Sequence, residues 1–338
     1  MKIYCLKDYK GNFLSRYDSE VYRSGMDKAA LKEYFQEIGV EIEFLFFSEV
    51  QNFDASFWMG QYVLYTSSED HNLSYKSYIE DIVYYLELNG ARLIPEFRYL
   101  KANNNKVFME LLIKSIVPQT RQILKNKIFG CYEEVQSQFE DLQYPVVFKK
   151  AAGAMSKGVG VSSDKTELSS SIKQISGTKN FILDLKDRLR AIKHPGYQLE
   201  SKYRNKFILQ DFVPGLDGDF KVLIFGTKYY VLKRGLKKDD FRASGSGIKV
   251  FERELPDGLL EYASEIFKKV NLPIISMDIA FNGSDFFLIE FQAVHFGTYT
   301  LMRSDHYWLE KENGFELVNS KSNLEEEYAS SIANFIKS

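Results

Sequence analysis

Apolar and polar residues alternate with a period of two on both sides of Asn282-Gly283. Met277, Ile279 and Phe281 lead into that break and Phe287, Ile289 and Phe291 follow it, which predicts a β-hairpin. With an odd loop of about three to five residues, Asp278 stands opposite Leu288 and shares a face with Glu290 and Gln292. The same register gathers all six apolar residues on the other face, whereas a two-residue loop would part Asp278 from Glu290. One face is then core, and the other carries two carboxylates and a carboxamide. Oxygen-only ligands suit a hard ion such as Mg²⁺ held together with substrate phosphates, and a half-exposed hairpin with solvated acids explains the stretch as well.

Helical spacing takes over elsewhere. Leu31, Tyr34, Phe35 and Ile38 form a stripe stopped by Gly39, and Tyr75, Ile79, Ile82, Val83 and Leu86 form another ending at Asn89-Gly90. Strands at Ile3–Leu6, Glu41–Phe47, Gln61–Thr66 and Ala91–Pro95 separate these stripes, so residues 1–100 read as a small α/β domain with a parallel sheet. Asn103-Asn104-Asn105 marks a break, followed by a helix over Lys106–Ser115 and a strand over Tyr144–Lys149. Helices are expected over 164–175, 182–192, 259–270 and 324–336, and strands over 207–212, 220–225 and 229–233. Mixed strands and helices in the second half suggest an α+β lobe.

Composition narrows the class without choosing a chemistry. A chain of 338 residues calls for two or three lobes. Its 27 Phe and 22 Tyr make any single aromatic weak evidence for base stacking. A net charge of −2 gives no overall drive toward nucleic acid or an anionic membrane, so neither is expected as a partner. Two cysteines, Cys5 and Cys131, build neither a disulfide framework nor a zinc site. With no apolar run long enough to span a bilayer and no signal-peptide pattern, a cytoplasmic protein is expected.

Several stretches can carry chemistry, each with a plainer reading beside it. Gly153, Gly158 and Gly160 flank Ser156 in a glycine-rich loop that can present backbone N–H groups to an anion or be a flexible β-turn. The loop matches neither the Walker A nor the dinucleotide-binding fingerprint. Lys149 precedes it on a strand, as a phosphate-neutralising charge or as a lysine reaching past the sheet edge. Gln210-Asp211-Phe212-Val213 closes another strand, and Asp219 follows a Pro-Gly turn; free backbone groups there can read an adenine edge, though a tight connection with acidic turn residues explains it too. Arg234 and Arg242 bracket a basic loop that is a solvated surface or an anion clamp. His295, just past the hairpin, is a substrate contact or a turn-capping residue.

The order of these features is more informative than any one of them. Lys106, Lys149 with its glycine loop, Gln210-Asp211-Phe212-Val213 with Asp219, Arg234 with Arg242, and Asp278 with Glu290-x-Gln292 together resemble the ATP-grasp superfamily, nearest the glutathione synthetase and carboxylate–amine ligase branch. The resemblance covers roughly residues 60–300. It implies an α/β and α+β ATP-grasp fold behind an N-terminal Rossmann-like (pre-ATP-grasp) α/β domain, with boundaries 1–105, 106–208 and 209–338. By the same resemblance Lys106 and Lys149 contact ATP phosphates, and the loop of Gly153, Ser156, Gly158 and Gly160 closes over them. The backbone of Asp211 and Val213 reads adenine, with Gln210 and Phe212 beside it, and Asp219 binds ribose. Lys221 and Arg234 face the γ-phosphate, Arg242 orients an acceptor carboxylate, and Asp278, Glu290 and Gln292 hold Mg²⁺, in all two ions. The family has Asn where Gln292 stands.

The activity implied is an ATP- and Mg²⁺-dependent ligation of a small carboxylate to an amine through an acylphosphate, in a protein that can form homo-oligomers. An ATP-grasp kinase acting on a hydroxyl and a non-catalytic nucleotide-binding module are the alternatives, and residues 184–205 and 298–320 carry no interpretable motif.

Overall fold

The computed structural model describes residues 1–19, 22–68, 70–117, 124–153, 158–236 and 247–338. The chain divides into two compact units. Unit 1 comprises Met1–Asn103, Ile116–Gln122 and Leu216–Ser338, and unit 2 comprises Asn104–Ser115 and Ile123–Gly215.

Unit 1 begins with β1 (Lys2–Lys7), α1 (Lys28–Glu37), β2 (Glu41–Phe46), β3 (Tyr62–Tyr65), α2 (Ser74–Leu88), β4 (Arg92–Ile94) and α3 (Phe97–Ala102). The strands form a parallel sheet in the order β2-β1-β3-β4, as the alternation of strands and helical stripes predicts. Asp27 caps α1 by accepting from the N–H groups of Ala29 and Ala30, and the stripe residues Leu31 and Phe35 are fully buried.

Unit 2 runs through α4 (Lys106–Ile116), β5 (Asn126–Phe129), α5 (Tyr132–Gln136), β6 (Val146–Lys150), β7 (Val159–Ser162), α6 (Lys165–Ser176), α7 (Phe181–Lys193) and β8 (Phe207–Asp211). Its antiparallel sheet is ordered β5-β8-β6-β7. One face packs on α6 and α5 around Phe129, Val135, Val146, Leu168, Ile172 and Phe207.

The chain then completes unit 1 with β9 (Gly218–Phe225), β10 (Lys228–Gly235), β11 (Lys249–Val250), α8 (Leu259–Val270), β12 (Ile274–Phe281), β13 (Phe286–Gln292), α9 (Tyr299–Arg303), β14 (Tyr307–Lys311), β15 (Gly314–Val318) and α10 (Leu324–Lys337). These strands make one antiparallel sheet in the order β13-β12-β9-β10-β14-β15, with β11 on β10. The stretch 298–320, which offers no motif in the sequence, supplies α9 and the edge hairpin β14–β15. One core joins the sheets of unit 1: Ile3, Cys5 and Phe35 pack with Leu223, Phe225, Ile274, Tyr328 and Ile332. Glu325 at the start of α10 is buried there, and the Arg16 guanidinium donates to both its oxygens at 2.7 Å. No helix among the described residues is long and apolar enough to cross a membrane.

Candidate functional site

The hairpin predicted over 277–292 is β12–β13, but it is built differently from the expectation. Its loop, Asn282 to Asp285, has four residues, because Phe281 pairs with Phe286. The Asn282 side chain closes it by accepting from the N–H groups of Ser284 (3.0 Å) and Asp285 (2.8 Å). An even loop would carry Glu290 to the face opposite Asp278. A bulge undoes this: Ile279 pairs with Leu288 and Asp278 with Glu290, so Ile289 is the extra residue. Asp278 therefore stands opposite Glu290, not Leu288. The expected six-residue apolar face is also incomplete, since Phe287 pairs with Ala280 on the side away from Ile279.

Register then spreads the chemistry over neighbouring strands. Asp278 pairs with Lys221 on β9, and Asp219, two residues earlier on the same face, pairs with Arg234 on β10. Arg234 is nearly buried between two carboxylates, with Nε and Nη2 donating to Asp219 at 2.5 and 2.8 Å. Its Nη2 also lies 2.7 Å from Asp278 Oδ2. Lys221 Nζ donates to Asp278 Oδ1 at 3.2 Å and to Gln292 Oε1 at 3.4 Å, and Gln292 Nε2 donates to Glu290 Oε1 at 3.2 Å. Asp219, Arg234, Asp278, Lys221, Gln292 and Glu290 are thus one connected network on one sheet face. Gly297, at φ +67°, lets the chain after the hairpin pass the Lys221 stem, where a Cβ would stand 3.3 Å from Cε.

Charge is shared unequally across it. Burial would raise the Asp278 carboxyl, but the Arg234 and Lys221 cations override that and hold it below the usual carboxylate range. Asp219 has Arg234 but also the negative Asp278 nearby, and burial pushes it up to about 6. Arg234 is buried, yet the two carboxylates keep it more firmly protonated than an ordinary arginine.

The donors expected for Mg²⁺ converge. Asp278 Oδ1 and Gln292 Oε1 meet on one ammonium, and the hydrogen bond to Glu290 turns the Gln292 amide oxygen toward it. Two carboxylates and an amide oxygen are a hard donor set that fits Mg²⁺ completed by phosphate oxygens and water. Among the described residues no three His, Cys, Asp or Glu side chains gather as a metal site. His295 is half-buried three residues beyond Gln292. Arg242 lies outside the described residues.

Unit 2 holds the remaining expected groups. Lys149 on β6 is buried, paired in register with Val159 and Ile208. Lys106 opens α4; its N–H donates to the Ala151 carbonyl at 2.8 Å and its Nζ to the Gly153 carbonyl at 3.4 Å. Asn104 Oδ1 accepts from the Gly153 N–H at 2.7 Å, so one residue of the Asn-rich break and the first residue of α4 together brace the chain just past β6. Gly158 and Gly160 have local packing reasons to be glycine. A Cβ at Gly158 would meet the Lys150 side chain, and one at Gly160 would run into the Phe148 ring. Ser156 lies outside the described residues. The Asp211 N–H is donated to the Lys125 carbonyl at 3.1 Å, and Phe212 and Val213 are half-buried just past it.

Two residues escaped the sequence reading. Glu110 is buried on α4 and accepts a hydrogen bond from the Asn126 amide. Burial raises its carboxyl, opposed first by the Lys149 charge. The signal was present, because Glu110 interrupts the apolar stripe Met109–Ile113. Asn126 pairs in register with Gln210, and both are buried; the Gln210 Nε2 donor and the Asn126 Oδ1 acceptor have no hydrogen-bond partner.

No protein-family model and no curated protein matches the sequence. Solved structures do match. D-cycloserine synthetase DcsG superposes with a TM-score of 0.57 over 99% of both chains at 13% identity. VanG D-Ala:D-Ser ligase from Enterococcus faecalis gives 0.54 over 88% of this chain and 92% of its own at 12% identity. A RimK domain ATP-grasp protein from Sphaerobacter thermophilus gives 0.53 over all of both chains at 11% identity. The chain has the ATP-grasp fold, as the order of its motifs implies.

Proposed function

We propose that the protein is an ATP- and Mg²⁺-dependent ligase that joins a small-molecule carboxylate to an amine through an acylphosphate. The observation that carries this reading is the connected network of three carboxylates, two cations and an amide on β9, β10, β12 and β13, with Asp219 and Asp278 buried at its centre. A sheet face that holds this many charges is costly unless charge is handled there. The fold shared with DcsG and VanG, both described as synthetase or ligase, favours ligation over simple nucleotide storage.

From unit 1, Asp278, Glu290 and Gln292 are the groups proposed to hold Mg²⁺, which neutralises phosphate charge when bound. Lys221 and Arg234 supply positive charge for the γ-phosphoryl group, Asp219 is assigned to ribose, and Arg242 and His295 to the acceptor. From unit 2, Lys106, Lys149 and the loop of Gly153, Ser156, Gly158 and Gly160 are assigned to the phosphates. Gln210, Asp211, Phe212 and Val213 are assigned to adenine. Because the Asp211 N–H is already donated within the chain, the base contacts there fall to its carbonyl and to Val213.

In the reaction a carboxylate oxygen attacks the γ-phosphorus and ADP leaves. The amine then attacks the acyl carbon, and phosphate departs with the C–O electron pair. Excluding water protects the acylphosphate between the two steps.

The test is incubation with ATP, Mg²⁺, a panel of carboxylic acids and hydroxylamine. Hydroxamate together with free phosphate is the expected result, and Glu290→Gln should abolish it. ADP with phosphate retained on a hydroxyl acceptor would make the protein a kinase, and nucleotide binding without turnover would make it a binding module.

A further inference from the structure

Helix α7 in unit 2 is turned inside out. Its acidic edge faces its own chain: Asp187 accepts from the Tyr197 hydroxyl and from the Glu200 N–H at 3.2 Å, and Asp184 pairs with Lys202 at 3.5 Å. Its apolar edge faces solvent. Phe181 is 83% exposed and Ile192 81%, with Ile182, Leu185 and Leu189 also exposed on that edge and Leu183 exposed outside it, while the Asp187 side chain is only 17% exposed. No residue of this helix is buried. At 3.6 residues per turn those five apolar residues cover about a third of the circumference. Lys186 and Lys193 border the stripe on one side and Arg188 on the other. The surrounding segment 177–206 carries eight Lys or Arg against three Asp or Glu, in a chain whose net charge is −2.

We infer that α7 docks the protein in the plane of an anionic lipid surface, with Phe181, Ile182, Leu185, Leu189 and Ile192 entering the headgroup boundary and the flanking cations meeting the headgroups. An amphipathic helix with a basic polar face and Phe and Leu on the other side is the form such anchors take. Charge selects this occupant over a second copy of the chain, because pairing two α7 helices would set Lys186 and Lys193 of each against a similarly cationic rim. The expectation of no membrane partner rests on whole-chain charge, which averages away this basic segment.

Sedimentation of the full chain with vesicles tests it. Vesicles of phosphatidylcholine with a quarter phosphatidylglycerol should carry the protein down, and pure phosphatidylcholine should not. Leu185→Glu with Leu189→Glu should abolish the binding. Lys186→Gln and Lys193→Gln should each weaken it roughly fivefold, the equivalent of ~1 kcal/mol per cation at an anionic surface. All these positions are exposed, so unchanged circular dichroism and thermal unfolding should accompany the loss. Two results would overturn the inference. A dimer in light scattering that the Glu variants dissociate, without vesicle binding, would assign the stripe to a second copy. A monomer that ignores both vesicles would leave the stripe to a protein partner.

Discussion

At the scale of single residues, Arg234 decides how the candidate site must be probed. It is held by Asp219 at 2.5 Å and Asp278 at 2.7 Å, so it is structural before it is anything else. Arg234→Ala leaves two buried carboxylates facing each other and should cost about 3–5 kcal/mol in urea unfolding, the usual penalty for half of a buried ion pair. Loss of activity in that variant would therefore say little about phosphate. Glu290→Gln is the cleaner probe, because Glu290 is half-buried and the Asp278–Arg234–Asp219 bridge does not include it. A second prediction concerns pH. Asp219 sits at about 6 in the fold against 3.8 for an ordinary Asp, so the folded chain binds this proton more tightly than the unfolded one. Its stabilising share is full below the ordinary value and is lost as pH rises through about 6. Asp278 is shifted the other way: its share is present above the ordinary range and is lost only in stronger acid. Asp278→Asn removes a negative neighbour of Asp219, so Asp219 should titrate lower and the decline between about pH 4 and 6 should shrink. Urea midpoints across that range check the slope, and a decline unchanged in the variant would break the assigned coupling.

At the scale of elements, the β12–β13 hairpin shows what alternation in a sequence can and cannot carry. The period of two on each side of Asn282-Gly283 finds both strands, and Asp278, Glu290 and Gln292 do share a face, but through a bulge and not through the odd loop that the alternation suggests. It could not locate the bulge, because Ile289 is one apolar residue among several and its removal from the ladder is decided by the four-residue loop. Glu110 shows in the sequence as a break in an apolar stripe, but that it and Asn126 belong together is illegible for a related reason. Their importance comes from meeting across α4 and β5, and helical or strand periodicity records only which way a residue points. The α7 stripe misleads in the opposite sense: its spacing is that of a core-facing helix, yet tertiary contacts turn it outward. Between β9 and β10 the limiting feature is backbone approach. A Cβ on Gly218 would run into the Arg234 carbonyl oxygen, so this glycine lets Asp219 and Arg234 sit in register. Gly218→Ala should cost on the order of 1–3 kcal/mol through overpacking, by the scale of inserted core methyls. It should also loosen Arg234, which a matching fall in stability and in Mg²⁺-dependent activity would reveal. Gly196→Ala, where a Cβ meets nothing within 4 Å but φ is +92°, is the control that isolates backbone strain from collision.

At the scale of the whole molecule, residues far apart in sequence share one core while a middle segment forms its own. Ile3 and Cys5 pack with Leu223 and Ile332, and residues 123–215 close around Phe129 and Phe207 instead. Apolar patterning says that each strand has a buried side but not which partner buries it, so this division is not written in the periodicity. It matters because the proposed nucleotide groups are distributed over both units: Lys149 and the glycine loop in one, Asp278 and Glu290 in the other. If one Mg²⁺–ATP engages all of them, its addition should slow amide hydrogen exchange in 146–153 and in 274–292 together, with a single concentration dependence. Glu290→Gln should then weaken the protection of both segments, although the substitution lies in only one unit. Protection confined to 146–153 and indifferent to Glu290→Gln would mean that the phosphates are bound by unit 2 without the carboxylates of unit 1. The network on β9, β10, β12 and β13 would in that case serve stability alone, and the ligase assignment would lose the observation that supports it.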